Sequence, residues 1–155
     1  MDKRKPVLML IGRSQAGKTT LTQCLTKQKL RYNKTQTVQV VDGHFIDTPG
    51  EYVERHGYYG ALSVTATSAN IIGLVQSATE EGTMFAPGFG FMFCGKPVVG
   101  IVTKCDIATE KQIIRAEHLL RDAGATKCFR LSSLNGKGVV ELEQWLNTAR
   151  NSENI

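Results

Sequence analysis

The sequence predicts an α/β fold with a mainly parallel sheet of about five to six strands, one of them antiparallel, and helices on both faces. Apolar segments of strand length alternate along most of the 155 residues with segments whose apolar residues recur at helical spacing. The apolar run at 70–76 is continuous, as in a strand buried on both faces. Length and alternation predict one domain over residues 1–150, followed by a flexible tail at 151–155.

Local patterns predict the individual elements. Strands are predicted at 7–11, 36–41, 44–47, 70–76, 97–102 and 127–131. The Asp42-Gly43 turn signal joins the second and third strands as an antiparallel hairpin. Helices are predicted at 17–28, 59–66, 110–123 and 138–149. The phenylalanine-rich stretch at 85–93 fits neither period, so it is either a core segment over the sheet or an exposed patch that docks a partner.

Composition excludes several classes of protein. Hydrophobic residues make up 41% and charged residues 21%, as in ordinary globular domains. No apolar run approaches the length of a membrane span, and the run behind the basic N-terminus is too short for a signal peptide. The net charge of +5 is spread along the chain without a recognition motif, so neither nucleic acid nor membrane is expected as a partner. Four cysteines without paired spacing predict reduced thiols in a cytoplasmic protein.

A glycine-rich segment between the first strand and the first helix carries the strongest functional signal. It reads G-x-x-x-x-G-K-T, the pattern of a phosphate-binding loop when a strand precedes it and a helix follows. Backbone N–H groups would hold phosphates, Lys18 would contact the β- and γ-phosphates, and Thr19 would ligate Mg²⁺. The predicted nucleotide-binding residues here are Gly12, Arg13, Ser14, Gln15, Ala16, Gly17, Lys18, Thr19 and Thr20.

Asp47-Thr48-Pro49-Gly50 follows the predicted strand at 44–47, where a second phosphate-facing motif belongs. The Asp47 carboxylate can hold Mg²⁺ through a water, and the Gly50 N–H can meet a γ-phosphate. Asp, Pro and Gly are also ordinary turn residues, so a plain turn is the alternative. Because ligands sit at the carboxyl ends of parallel strands, this motif is expected beside the first.

Thr103-Lys104-Cys105-Asp106 follows a later predicted strand and indicates guanine. Guanine presents N1–H and N2–H₂ side by side, and the single carboxylate of Asp106 can accept from both. Adenine lacks this pair of donors and would leave the carboxylate poorly matched. The Lys104 stem can lie along the base. The remaining predicted base-binding residues are Thr103 and, after the last strand, Ser132, Ser133 and Leu134, where a backbone N–H would meet guanine O6.

These motifs, in this order, resemble those of Ras-like P-loop GTPases over nearly the whole chain. Lys34-Thr35-Gln36, Asp47-Thr48-Pro49-Gly50-Glu51-Tyr52 and the Thr-Lys-Cys-Asp loop narrow the resemblance to the EutP/PduV family. Those are small GTPase-like proteins encoded with ethanolamine- or propanediol-utilisation microcompartments. The resemblance implies a cytoplasmic bacterial protein that binds GTP or GDP with Mg²⁺ and associates with a microcompartment shell. It also implies Thr35 as a ligand of Mg²⁺ and the γ-phosphate, with Thr37 as the alternative.

One departure from Ras-like proteins concerns catalysis. Glu51 stands directly after the motif glycine, where those proteins often carry a glutamine that orients the attacking water. The γ-phosphate repels a carboxylate at that place, so Glu51 is either a general base or a structural residue. His56 is a second candidate for positioning water. With Lys18 and Thr35 as the other predicted catalytic residues, slow hydrolysis of GTP is expected.

Three functions stay open on the sequence. The first is a GTP-binding protein with slow hydrolysis that serves a larger assembly. The second is a phosphotransferase, because the family has been linked to acetate kinase activity with ATP; Arg13 and Arg55 are the nearby cations that could hold acetate. The third is an interaction module that keeps its nucleotide permanently and binds shell proteins.

Overall fold

The computed structural model describes residues 6–25, 39–41, 45–132, 136 and 138–153. Its strands are β1 (Leu8–Ile11), β2 (Gln39–Val41), β3 (Phe45–Asp47), β4 (Ile71–Ser77), β5 (Val98–Thr103) and β6 (Lys127–Arg130). Its α-helices are α1 (Lys18–Leu25), α2 (Glu51–Glu54), α3 (Tyr59–Ala66), α4 (Glu110–Asp122) and α5 (Val139–Glu153). Short 3-10 helices span His56–Tyr58, Phe89–Phe93 and Cys105–Ile107.

The strands form one sheet in the order β2-β3-β1-β4-β5-β6. Strands β1, β3, β4, β5 and β6 run parallel, and β2 pairs antiparallel with β3. The predicted α/β fold with a mainly parallel sheet is confirmed, whereas the Asp42-Gly43 turn lies outside the described residues. Because β1, β3 and β5 run parallel, the loops that follow them all leave from the carboxyl-terminal end of the sheet. Strand β1 lies between β3 and β4, and β5 is the next strand after β4.

Two apolar cores cover the two faces of the sheet. In β1, Met9 and Ile11 belong to one core and Leu8 and Leu10 to the other, as the alternation of side chains along a strand requires. Helices α3 and α4 contribute to the first core, and α1 and α5 contribute to the second. Helices therefore lie on both faces, as predicted. All four β1 side chains are completely buried, so the loop that follows β1 starts from a firmly packed base.

The phenylalanine-rich stretch is mostly core. Phe85, Phe89 and Phe93 are buried, and the ring of Phe89 lies 5.2 Å from that of Phe85 and 5.6 Å from that of Phe93, measured between centroids. Phe91, by contrast, is 87% exposed. The interpretation as a core segment is therefore right for three of these side chains, and only Phe91 fits the interpretation as an exposed patch.

Replacing Phe93 with alanine is expected to lower the free energy of unfolding by about 3 kcal/mol, because the truncation leaves a cavity among buried rings. Phe93 is 2% exposed. The matched control is Phe91→Ala in the same short helix, which should change the free energy by less than about 0.5 kcal/mol. Urea unfolding followed by circular dichroism measures both. Equal losses in the two variants would contradict the burial difference.

The chain departs from the predicted elements at two places. Helix α5 runs to Glu153, past the predicted helix end at residue 149 and into the predicted tail at 151–155. No glycine or proline follows Ala149, so nothing in the sequence stops the hydrogen-bonded backbone there. The stretch after Gly50, where no helix was predicted before residue 59, forms α2 and a 3-10 helix. Turns this short show no apolar periodicity.

Candidate nucleotide-binding site

The glycine-rich loop at 12–17 leaves β1 in the middle of the sheet and opens α1, as its motif predicted. Gly12 lies so close to β4 that an added Cβ would be 2.6 Å from the Val75 carbonyl oxygen. Gln15 and Gly17 have positive φ angles of 68° and 99°. Positive-φ residues at such a turn bring backbone N–H groups round to one side, which suits a phosphate at a helix N-terminus. The loop thus has positive-φ residues at its turn, and its binding of phosphate stays a prediction.

Lys18 is folded over this loop. Its side chain is 6% exposed, and Nζ donates to the carbonyl oxygens of Gly12 at 2.7 Å and Arg13 at 3.2 Å. Burial lowers the pKa of Lys18, and the nearby carboxylates of Asp47 and Glu54 partly offset this by stabilising the ammonium. Two carbonyls and two carboxylates therefore hold a buried positive charge beside the loop, where an anionic phosphate would meet it.

Thr19 and Asp47 meet at the predicted Mg²⁺ position. The Thr19 hydroxyl donates to Asp47 Oδ2 at 3.0 Å, and Asp47, the last residue of β3, is 2% exposed. A hydroxyl and a carboxylate are donors that Mg²⁺ accepts, with waters and phosphate oxygens completing its shell. Within the described residues, no three His, Cys, Asp or Glu side chains cluster to hold a metal. The donor set therefore fits Mg²⁺ bound together with a phosphate, and Thr35 lies outside the described residues.

The second motif is packed directly against the first. A Cβ added to Gly50 would lie 2.2 Å from the Ser14 backbone nitrogen and 2.6 Å from Ser14 Oγ, so only glycine fits here. Thr48, whose side chain is buried, donates through Oγ1 to the Leu10 carbonyl oxygen at 2.8 Å and ties the motif to β1. Sequence reasoning did not assign this role to Thr48, because the bond joins residues far apart in the chain.

Glu54 makes a contact that the sequence did not indicate. Its Oε1 accepts a hydrogen bond of 2.8 Å from the backbone N–H of Ser14, within the glycine-rich loop. Glu51, the predicted catalytic carboxylate, is half-buried at the first position of α2. His56 begins the following 3-10 helix, and its imidazole lies outside what the structure describes. Of the two glutamates in α2, Glu54 is therefore the one that bonds to the loop.

The predicted base-binding motif is fastened to the same loop. Thr103 Oγ1 donates to the Ala16 carbonyl oxygen at 2.6 Å, and Lys104 Nζ donates to the Gln15 carbonyl oxygen at 2.9 Å. Lys104 has a positive φ of 60°, which turns the chain sharply at the end of β5. Asp106 follows in the 3-10 helix Cys105–Ile107 with its side chain exposed. The structure therefore brings the Thr103–Asp106 loop into direct contact with the glycine-rich loop at 12–17.

The segment after β6 lies beside the Asp106 loop. The Leu131 N–H donates to the Val102 carbonyl oxygen at 2.8 Å, and the Cys105 N–H donates to the Leu131 carbonyl oxygen at 3.2 Å. Ser132 is buried, and its hydroxyl has no hydrogen-bond partner among the residues that the structure describes. Ser133 and Leu134 lie outside those residues. Of the predicted O6-binding segment, the structure describes Ser132, which directly follows Leu131, the residue bonded to the predicted base-binding loop.

The two arginines nominated for acetate differ in their surroundings. Arg13 Nη1 lies 3.2 Å from Glu80 Oε1, so this cation is already paired with a carboxylate. Arg55 is exposed after α2. Thr20, predicted to bind nucleotide, is half-buried in the first turn of α1. The site consequently offers no buried, unpaired arginine in the described part of the chain that would hold a small carboxylate.

Comparison with known proteins identifies the family. The family model of PduV-EutP, described as "Ethanolamine utilisation - propanediol utilisation", matches residues 5–148. The propanediol utilization protein PduV of Citrobacter freundii is 46% identical over 146 residues, which are 94% of this chain and 95% of that protein. This chain belongs to the PduV-EutP family. The probable acetate kinase EutP of Escherichia coli (strain K12), at 27% identity over 94% of this chain and 92% of that protein, is a more distant relative of this PduV-EutP protein.

Solved structures share the fold of this PduV-EutP protein. The bacterial selenocysteine-specific elongation factor EF-Sec superposes with a TM-score of 0.70 at 19% identity, over 96% of this chain and 29% of that one. A variant of Era from Aquifex aeolicus, solved with GDP and AlF4-, superposes with a TM-score of 0.64 at 22% identity, over 92% of this chain and 56% of that one. The chain spans only part of these longer proteins. At such identities the likeness establishes the P-loop GTPase fold and nothing more.

Proposed function

We propose that this PduV-EutP protein binds GDP and GTP with Mg²⁺ and hydrolyses GTP slowly. The observation that carries the proposal is the pair of hydrogen bonds from Thr103 and Lys104 to the carbonyls of Ala16 and Gln15. These bonds join the loop that would bind the base to the loop that would bind the phosphates. One nucleotide can therefore engage both loops, with Asp106 beside the base. The Era structure solved with GDP adds support from the same fold.

Guanine is the base that this loop fits best. The Asp106 carboxylate can accept from N1–H and N2–H₂ of guanine together, and adenine has no matching pair of donors. The buried Ser132 hydroxyl beside this loop offers a further polar group that a bound base or its carboxylate partner can satisfy. We therefore expect GDP and GTP to bind more tightly than ADP and ATP.

Slow hydrolysis is expected from the residues near the terminal phosphate. Bound Mg²⁺ would neutralise charge on the β- and γ-phosphates, and Thr19 and Asp47 would hold it. Lys18 would stabilise the same phosphates with its buried ammonium. Glu51 stands where an amide would orient water without charge repulsion, and its carboxylate is a poorer neighbour for a γ-phosphate. These residues support tight binding more than they support fast turnover.

Family membership supports the cellular setting. The family description names ethanolamine and propanediol utilisation, and the relative at 46% identity is a propanediol utilization protein. We propose that the protein works in the cytoplasm as an accessory to an ethanolamine- or propanediol-utilisation microcompartment, with a shell protein as its partner. Among the described helices, none has both the length and the apolar character needed to cross a membrane.

The expected result is that isothermal titration with Mg²⁺ gives binding of GDP and GTP at least about tenfold tighter than binding of ADP and ATP. Release of phosphate from GTP should be slow and should stop when EDTA removes Mg²⁺, because the terminal phosphate then loses its counter-charge. Equal or tighter binding of ATP would refute the guanine assignment. Exchange of bound nucleotide, followed with a fluorescent GDP, separates this proposal from a module with a permanently held nucleotide.

Acetate phosphorylation is the second candidate, and one comparison favours it. Relatives at 27% identity carry the name probable acetate kinase EutP. The ion pair of Arg13 with Glu80 argues against this function, because acetate would have to displace the Glu80 carboxylate. Of the two predicted acetate-binding arginines, Arg55 would then have to bind acetate from its exposed position. If the protein phosphorylated acetate, then incubating it with ATP, acetate and hydroxylamine would yield acetyl hydroxamate. We expect none above the rate without protein.

A further inference from the structure

The strongest unexplained contact in the site is the hydrogen bond between Ser14 and Glu54. The Ser14 N–H belongs to the glycine-rich loop, and the acceptor, Glu54 Oε1 at 2.8 Å, comes from the last residue of α2. Forty residues separate the two in sequence, and the contact is partly buried. A carboxylate oxygen therefore occupies a hydrogen-bonding position on the loop whose N–H groups would otherwise meet phosphate oxygens.

The second motif positions Glu54 for this contact. Gly50 touches Ser14, and α2 begins immediately after it, with the Glu54 N–H bonded to the Gly50 carbonyl oxygen at 3.3 Å. Val53, 1% exposed, anchors the helix in the core. The rings of Tyr52 and Tyr58 stack with centroids 5.1 Å apart and brace the turn that follows. These contacts hold α2 against the core with Glu54 at its end nearest the loop contact.

Charge makes the contact consequential. Lys18 lies against the same loop, and its Nζ donates to the carbonyl oxygens of Gly12 and Arg13. The glycine-rich loop thus has the Lys18 ammonium and the Glu54 carboxylate bonded to it, at the place where the β- and γ-phosphates would bind. A carboxylate bonded to a loop N–H presents negative charge and acceptor oxygens there, as a phosphate group would. A γ-phosphate that approached the Ser14 N–H would be repelled by the Glu54 carboxylate, because both are negatively charged.

We propose that Glu54 is a specificity-determining residue that favours nucleoside diphosphate over nucleoside triphosphate. Its carboxylate holds the Ser14 N–H when a diphosphate is bound, and it has to leave before a γ-phosphate can use that position. The inference rests on the proposed binding of nucleotides by this loop.

The test is the ratio of dissociation constants for triphosphate and diphosphate, measured by titration with Mg²⁺ for GTP against GDP and for ATP against ADP. Wild-type protein should bind GDP more tightly than GTP. Glu54→Ala removes the charge and the acceptor, and should shift the ratio towards GTP roughly 10- to 100-fold, since a charged hydrogen bond and a like-charge contact are lost together. Glu54→Gln keeps the size and one acceptor oxygen but loses the charge, so its ratio should fall between the two.

The matched control is Glu141→Gln, which makes the same change in net charge at an exposed position of α5 and should leave the ratio unchanged. Circular dichroism confirms that each variant is folded. An unchanged ratio in folded Glu54→Ala would overturn the inference while the proposed binding of nucleotide stood. If only adenine nucleotides bind, the guanine assignment fails and the ATP/ADP ratio decides the role of Glu54. Absence of binding by every variant would overturn both.

Discussion

Replacing Lys18 with alanine is expected to weaken the binding of both GDP and GTP roughly a thousandfold. The buried ammonium now lies against two loop carbonyls and near two carboxylates, and a bound nucleotide would add phosphate oxygens to its partners. Losing two charge-assisted hydrogen bonds of about 1.5–3 kcal/mol each corresponds to a loss of this size. Titration with each nucleotide in the presence of Mg²⁺ measures it.

Two further variants separate the charge from the packing of Lys18. Lys18→Met keeps most of the buried stem while removing the ammonium, and we expect it to lose affinity as far as the alanine variant does. Lys111→Met makes the same change at an exposed position of α4 and should bind normally. Urea unfolding shows whether each protein is folded before it is titrated. Near-normal affinity in folded Lys18→Met would remove the lysine from phosphate binding.

Replacing Asp106 with asparagine is expected to exchange the preferred base from guanine to xanthine. Xanthine keeps N1–H and presents a carbonyl in place of the guanine amino group, so an amide that accepts from the first and donates to the second matches it. The same amide faces the guanine N2–H₂ with a donor. A mismatch of this kind between a base and a polar site changes preference by roughly 10⁴-fold, and the ratio of GDP to XDP affinity should reverse by about that factor.

The fold should be insensitive to this substitution, because the Asp106 side chain is exposed. Asp122→Asn, at an exposed position in the last turn of α4, makes the same change in charge and should leave GDP preferred. Competition between GDP and XDP, read with a fluorescent GDP, gives the ratio directly for both variants. If Asp106→Asn still prefers GDP by the wild-type factor, this carboxylate does not read the base.

The sequence could predict where a site residue lies when the signal stands in its immediate neighbours. The order of strand, glycine loop and helix predicted Lys18 and Thr19, and a strand end followed by Asp-Thr-Pro-Gly predicted the position of Asp47. The hydrogen bond of 3.0 Å between Thr19 Oγ1 and Asp47 Oδ2 follows from strand order, because β1 and β3 are neighbours in the sheet. Alternating strands and helices predicted a mainly parallel sheet, whereas the order of its strands comes from the structure.

What sequence could not assign depends on contacts between distant segments. Thr48 bonds to β1, Thr103 bonds to the carbonyl of Ala16, and Glu54 bonds to the N–H of Ser14. Each uses a common residue type, and only the packed fold shows its partner. Helix α2 escaped prediction for a related reason: four residues complete barely one turn, so no spacing of apolar residues marks it.

The hydrogen bonds from Thr103 and Lys104 to the glycine-rich loop would let one nucleotide engage two predicted subsites, one for the base and one for the phosphates. Guanosine alone would engage one half and inorganic pyrophosphate the other, and each fragment would bind weakly. When guanosine and the phosphates are joined in one nucleotide, the part that binds second does so at an effective concentration. The geometry of the nucleotide sets this value, rather than its concentration in solution. Because Thr103 and Lys104 hold both halves to the same backbone, little of that advantage is lost to relative motion of the two loops. The intact nucleotide should therefore bind far more tightly than either fragment alone.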